Sequence, residues 1–172
     1  MSETMAGTPD PVRDPARMAE IAALGLTSAD VDEVLQKTVD EAAARLNLPM
    51  SLVSVVMDGA QWFAAHTGLN PWMAEARGTP VEWSFCANAV RTGEPFVVED
   101  ATTHPLVKDN PLVQLDGIRC YAGIPLVSAR GVTLGTLCVI GTEPRSFTEA
   151  EMETLRGLAR TAMERIEARR RA

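Results

Sequence analysis

An Asp58-Gly59 pair lies between two β-rich runs, Leu52-Val53-Ser54-Val55-Val56-Met57 and Gln61-Trp62-Phe63-Ala64-Ala65-His66, and this arrangement admits few folds. Asp-Gly tolerates the positive φ angles of a tight hairpin turn, so the two runs are predicted to be neighbouring antiparallel strands. A second hairpin is expected from Cys120 to Val127 and Val132 to Ile140, turning at Ala129-Arg130-Gly131. Gly123 and Gly135 sit inside those strands, where only small residues fit. Phe96-Val97-Val98-Glu99 reads as a further strand.

Helical periodicity brackets this β-rich centre. Val31, Leu35, Thr38, Ala42 and Leu46 form one apolar stripe, predicting a helix from about Ser28 to Leu46 with a capping-box-like start at Thr27 and Asp30. At the other end, Thr148 and Glu151 form a capping box ahead of the stripe Met152, Leu155, Leu158, Ala159, Ala162, Met163 and Ile166. Shorter helices are expected around Met18 to Ala22, broken near Gly25, and from Ser84 to Gly93. Residues 68–80 read as a surface excursion outside the sheet, and 101–117 as a long loop with at most a turn or two of helix near Asn110 to Leu115. Residues 1–14 carry almost no large apolar side chains and are expected to be a flexible tail, leaving 15–172 as a single domain.

The resulting fold class is α+β: an antiparallel sheet with the N- and C-terminal helices on one face and a loop-covered pocket on the other. Composition agrees, with 46% hydrophobic and 23% charged residues in a chain of 172. At this length a domain buries about two-thirds of the surface its unfolded chain exposes, so neither disulfides nor a structural metal is required. The three cysteines, Cys86, Cys120 and Cys138, are widely spaced, and no secretory signal opens the chain, so a reduced, cytoplasmic protein is expected. A formal charge of −7, with one basic cluster at Arg165 and Arg169–Arg171, argues against nucleic-acid binding. No run approaches the ~18 apolar residues of a membrane span, so no membrane partner is expected.

Several ordered segments resemble the GAF domain family of bacterial signalling proteins, of the kind found ahead of histidine kinases and diguanylate cyclases. They are Gln61-Trp62-Phe63 with Gly68-Leu69, Ser84-Phe85-Cys86, Gly93-Glu94-Pro95 with Val97-Val98-Glu99-Asp100, Asp109-Asn110-Pro111-Leu112-Val113, Ile118-Arg119-Cys120-Tyr121-Ala122-Gly123-Ile124-Pro125-Leu126, Leu134-Gly135-Thr136-Leu137-Cys138-Val139-Ile140, and Pro144-Arg145. The resemblance spans roughly Thr27 to Arg169. It implies a five- or six-stranded GAF/PAS-like sheet, a small-molecule pocket on one face and a helical dimer surface on the other. Fold and function separate in such a family, so the site decides.

The resemblance leads to a stand-alone sensory or regulatory domain that is not an enzyme. It takes an unidentified small molecule, signals through a helical homodimer and reports to a downstream signalling protein. No cofactor is identified. Trp83, Phe85, Cys86, Arg119 and Tyr121 are the candidate ligand-binding residues. The aromatic rings either line an apolar cavity or fill it as core. Arg119 either clamps an anionic ligand or pairs with Asp100 or Asp116, and Asp100 is expected to cap backbone amides.

Cys86 carries the enzymatic alternative. It resembles one cysteine of the GAF subgroup that reduces free methionine sulfoxide, and a helix N-terminus lowers a thiol pKa. The loop from Ala101 to Val113, where that subgroup holds the partner cysteine, contains none. Cys120 and Cys138 read as buried core thiols. The loop also lacks the cysteine that holds a bilin in phytochrome-like GAF domains, and the Asn-Lys…Phe…Asp-Glu signature of cyclic-nucleotide-binding members is missing. His66 and His104 are not paired at a metal-binding spacing, although one His can anchor a haem. A ligand-free dimerisation module is the remaining alternative.

Overall fold

A computed structural model of the chain describes residues 10–26 and 32–170. Six strands form one antiparallel sheet: β1 (Met50–Val56), β2 (Ala60–Thr67), β3 (Gly78–Pro80), β4 (Phe96–Val98), β5 (Cys120–Val127) and β6 (Thr133–Gly141), in the order β3-β2-β1-β6-β5-β4. Both predicted hairpins are present, with Val56 opposite Gln61 and Val127 opposite Thr133; Gly131 at the second turn takes a positive φ of 79°, whereas Asp58 and Gly59 at the first do not adopt the positive φ expected of them.

Both faces of the sheet are covered. On one side pack α1 (Pro15–Ala23), α2 (Glu33–Leu46) and α6 (Glu149–Glu167), whose Leu35, Val39, Leu155 and Ala162 meet Val53, Val55, Leu137 and Val139. The Thr148–Glu151 capping box starts α6 as expected. The first long helix begins later than predicted: Asp32 caps it, accepting from the backbone N–H groups of Val34 and Leu35, while Thr27–Val31 lie outside the described residues. The opposite face carries α3 (Pro71–Ala76), α4 (Cys86–Thr92) and α5 (Pro111–Gln114) over Leu52, Val56, Tyr121 and Cys138.

Residues 68–80 are not the sheet-free excursion expected. Asn70 caps α3 through the Met73 N–H, and residues 78–80 then add β3 to the sheet edge beside Ala60–Trp62. A three-residue edge strand ending in proline has no alternation of its own; its partner strand defines it.

Asp10–Asp14 do not fit the expected tail, of which residues 1–9 lie outside the described set. Val12 is 1% exposed and packs beneath α4, and Asp10 pairs with Arg91 of that helix at 3.1 Å. From there the chain passes the ends of β1 and β6 to reach the other face as α1. Arg17 makes the crossing permanent. It is 5% exposed and donates to the carbonyl oxygens of Pro11 and Val12 on its own segment and of Val56 and Thr133 on the sheet. A buried guanidinium offers five donors, and here backbone carbonyls take them instead of a carboxylate.

The far end of α1 is held by charge. Glu20, 4% exposed, accepts a two-pronged interaction from Arg170 at 2.9 and 2.8 Å, with Glu167 also on Arg170. The Arg170 hydrogen bonds hold the Glu20 carboxyl down to about 2, against an ordinary value of 4.5.

Replacing Arg17 with Ala strands several buried carbonyls and is expected to destabilise the fold by about 2–4 kcal/mol, read by urea unfolding; a change within experimental error refutes the role given to Arg17. Because the folded Glu20 pKa is depressed, its contribution is complete above about 4.5 and vanishes as pH falls through about 2. The stability gap between the parent and Glu20→Gln should therefore narrow across that window, and a gap independent of pH there contradicts the assignment.

Candidate functional site

The pocket face gathers polar side chains where an apolar core would serve packing better. Ser54, Gln61, Thr79 and Ser84 are all buried, and each finds a partner. Gln61 is the hub: its Oε1 accepts from the Ser54 hydroxyl at 2.9 Å and the Ser84 hydroxyl at 2.8 Å, while its Nε2 donates to Thr79 Oγ1 at 2.7 Å. Ser84 Oγ also accepts the Ala87 N–H at 3.1 Å, which fixes the first turn of α4, as the sequence suggests for Ser84. The set ties the sheet edge at β3, through β2 and β1, to the start of α4.

Beside it lies a second cluster centred on Cys86 Sγ. The Tyr121 and Thr136 hydroxyls each donate to this sulfur at 3.0 Å, and the Cys138 sulfur is 4.0 Å away. Tyr121 reaches it because residue 123 has no side chain: a Cβ there would stand 2.3 Å from the Tyr121 hydroxyl oxygen. Gly135 serves β6 in a similar way, since its Cβ would meet the Ser54 carbonyl oxygen of β1 at 1.8 Å. Burial by itself raises the Cys86 thiol pKa, but hydrogen bonds from Cys138, Thr136 and Tyr121 outweigh it and bring the thiol down to about 6. Burial and the neighbouring Cys86 push Cys138 the other way, well above the ordinary thiol value. The surroundings thus favour ionisation of Cys86 and oppose that of Cys138.

Cys86 and Tyr121 face a cavity of about 20 Å³, walled by Leu52 and Phe63 and roofed by Met73 and Leu112 from the two loop segments. That space holds one water-sized molecule. The roof segments are latched at the surface by Asp116, whose Oδ1 accepts from Asn70 Nδ2 at 3.1 Å and from Trp72 Nε1 at 3.2 Å.

Three of the five predicted ligand-binding residues, Phe85, Cys86 and Tyr121, line this cavity, and the Phe85 and Tyr121 rings pack at 5.3 Å. Trp83 and Arg119 do not. The Trp83 ring stands edge-on to Trp72 at 6.1 Å, and its carbonyl accepts from Asn110. Arg119 Nη1 donates to the carbonyls of Val113 and Ile118, both at 2.9 Å, so its fork folds the long loop instead of projecting toward an anion. Asp100 accepts the Thr102 N–H and hydroxyl, the local capping role expected of it. His104 Nδ1 accepts the Leu106 N–H, and its ring stands against Phe96. Among the described residues no group of three or more His, Cys, Asp or Glu side chains is arranged to hold a metal, and no helix is long and apolar enough to cross a membrane.

Sequence reasoning missed Gln61, Ser54 and Thr136 at the site and gave Ser84 only its capping role. The available signal was a polar residue in phase with pocket-face apolar ones, such as Ser54 between Leu52 and Val56; strands buried on both faces hide which phase is which. It also missed Cys138 as a neighbour of Cys86. The long loop holds no partner thiol, yet β6 supplies one from 52 residues away.

An antiparallel six-stranded sheet with terminal helices on one face and a loop-roofed cavity on the other defines a class of sensory, small-molecule-binding modules. The chain belongs to the GAF domain family, whose model matches residues 28–167. It is 40% identical over 164 residues to a cyclic di-GMP phosphodiesterase of Pseudomonas aeruginosa; the match covers 94% of this chain and 27% of that protein. The chain therefore spans about a quarter of that relative. Its fold is similar to the GAF domain of a phosphoenolpyruvate-protein phosphotransferase from Coxiella burnetii, with TM-score 0.66, 20% identity and coverage of 94% and 97%. It is also similar to the free methionine-R-sulfoxide reductase of Neisseria meningitidis, with TM-score 0.64, 21% identity and coverage of 91% and 87%.

If the Tyr121 hydroxyl holds Cys86 as thiolate, Tyr121→Phe should move the Cys86 titration upward. The ultraviolet thiolate absorbance, taken as the difference from a Cys86→Ser protein, reads this directly; an unmoved titration refutes the role of Tyr121.

Proposed function

We propose that the chain is a non-enzymatic regulatory GAF domain, working in the cytoplasm, whose cavity opens to admit a small molecule and whose α2–α6 helix pair passes the change to a second copy and a downstream protein. The observation that carries this reading is the cavity itself. Gln61, Cys86 and Tyr121, each hydrogen-bonded to a protein neighbour, stand among apolar walls, so the space presents the mainly apolar surface of a small-molecule site. Its roof is held by two surface hydrogen bonds on Asp116, each worth about 1 kcal/mol, and by the burial of Met73 and Leu112, each worth about 1.5–3 kcal/mol, so an entering ligand must replace those apolar contacts. An apolar or weakly polar ligand fits these walls better than an anion, because Arg119 is committed to the loop backbone.

The outer surface of α2 and α6 supports the dimer. A groove of about 750 Å³ runs between them, lined by Lys37, Glu41 and Arg45 on one helix and Glu153 and Arg160 on the other. Its charges pair along each helix, Arg45 with Glu41 and Arg160 with Glu153, and a second copy related by a two-fold axis presents the same pairs for exchange across an isologous contact.

A second reading has a specific observation behind it. The lowered Cys86 pKa suits a thiol-dependent reductase of a small oxidised substrate such as free methionine sulfoxide. The cavity as it stands holds far less than that substrate, so the roof would have to lift for this chemistry too. Turnover that is absent in the parent, or unchanged in Cys86→Ser, removes the reductase.

Native mass spectrometry of protein purified from cells should show a dimer and a retained or exchangeable small molecule, and a metabolite panel should raise the melting temperature for one chemical class. A monomer with no retained mass and no stabilisation across the panel overturns the sensing role.

A further inference from the structure

The Cys86–Cys138 contact has a chemistry that neither ligand binding nor dimerisation uses. Both sulfurs are buried, at 2% and 0% exposure, and lie 4.0 Å apart, one on the first turn of α4 and one on β6. A disulfide needs about 2 Å between its sulfurs, so the two must approach by about 2 Å more. Cys86 also lines the cavity, whose volume of about 20 Å³ suits a molecule near the size of water. Tyr121 and Thr136 aim two hydroxyl donors at Cys86 and thus favour its thiolate, the form that attacks an oxidant.

We propose that Cys86 and Cys138 form a redox pair: hydrogen peroxide, the oxidant class that matches the cavity, oxidises Cys86, and Cys138 completes an intramolecular disulfide. In the first step the Cys86 sulfur attacks one peroxide oxygen and the O–O bond breaks. The second oxygen leaves as hydroxide and becomes water with the proton that Cys86 released on ionising, leaving Cys86 as a sulfenic acid. In the second step the Cys138 sulfur attacks the sulfenic sulfur, the S–O bond breaks, and hydroxide leaves with the Cys138 proton as a second water. Two thiols lose two electrons and the peroxide gains them. A dithiol reductant restores both thiols by exchange.

Cys120 is the internal control. It is buried at 0% exposure, and burial pushes its thiol pKa up. It belongs to neither the cavity wall nor the Cys86 hydroxyl cluster.

The test is peroxide treatment of the unmodified full chain, followed by alkylation and peptide mass spectrometry. The expected result is a linked Cys86–Cys138 peptide pair, lost on treatment with dithiothreitol, with Cys86 consumed at least about tenfold faster than Cys120. In Cys138→Ser, Cys86 should instead accumulate as a sulfenic acid trapped by dimedone. The proposal is overturned if the folded parent shows no such link, or if Cys120 reacts as fast as Cys86. Neither outcome depends on finding a ligand for the cavity, so this inference and the sensing role can fail separately.

Discussion

Everything in this domain follows from a sheet that is covered on both faces. Once α1, α2 and α6 close one side and α3 to α5 the other, β1 and all but the turn ends of β5 and β6 are shut off from water, and any polar atom there must find a protein partner. Arg17 satisfies carbonyls at the strand ends, Ser51 donates to the Cys138 carbonyl, and Gln61 gathers the hydroxyls of Ser54 and Ser84. These groups are held in single arrangements because the alternatives leave a buried donor or acceptor unpaired, at about 1–3 kcal/mol each. The same exclusion of water makes the Cys86 environment decisive: hydroxyls placed at 3.0 Å act on that sulfur in a medium that screens them weakly.

The close approach of strands and side chains is set by what is missing at two positions. Gly135 lets β6 lie against the Ser54 carbonyl, and Gly123 lets the Tyr121 ring cross β5 to reach Cys86. A packing requirement and a chemical one are therefore met by the same hairpin.

Local rules made much of this readable in advance. Asp58-Gly59 marks a turn whatever surrounds it, and the Thr148–Glu151 capping box with its stripe specifies α6 within one stretch of chain. Failures occurred where distant chain decides the outcome. β3 exists because Ala60–Trp62 offer it an edge, and Arg17 is buried because five carbonyls from three segments converge on it. At the site, Phe85 and Tyr121 were recognisable as large rings near a pocket. The Cys86–Cys138 pair and the Gln61 hub were not, because each joins residues from different strands or helices through a register that the sequence alone does not supply. Arg119 shows the converse: its charge suggests a ligand clamp, while the nearby carbonyls of Val113 and Ile118 hold its Nη1.

The N-terminal segment bears on how the two faces communicate. Asp10 grips Arg91 on the cavity side, and Glu20 grips Arg170 at the end of the long terminal helix on the other, with Arg17 anchored to the strand ends between them. One short piece of chain thus ties the helices of both faces to each other and to the strand ends, so the two layers share a connection that runs around the sheet edge.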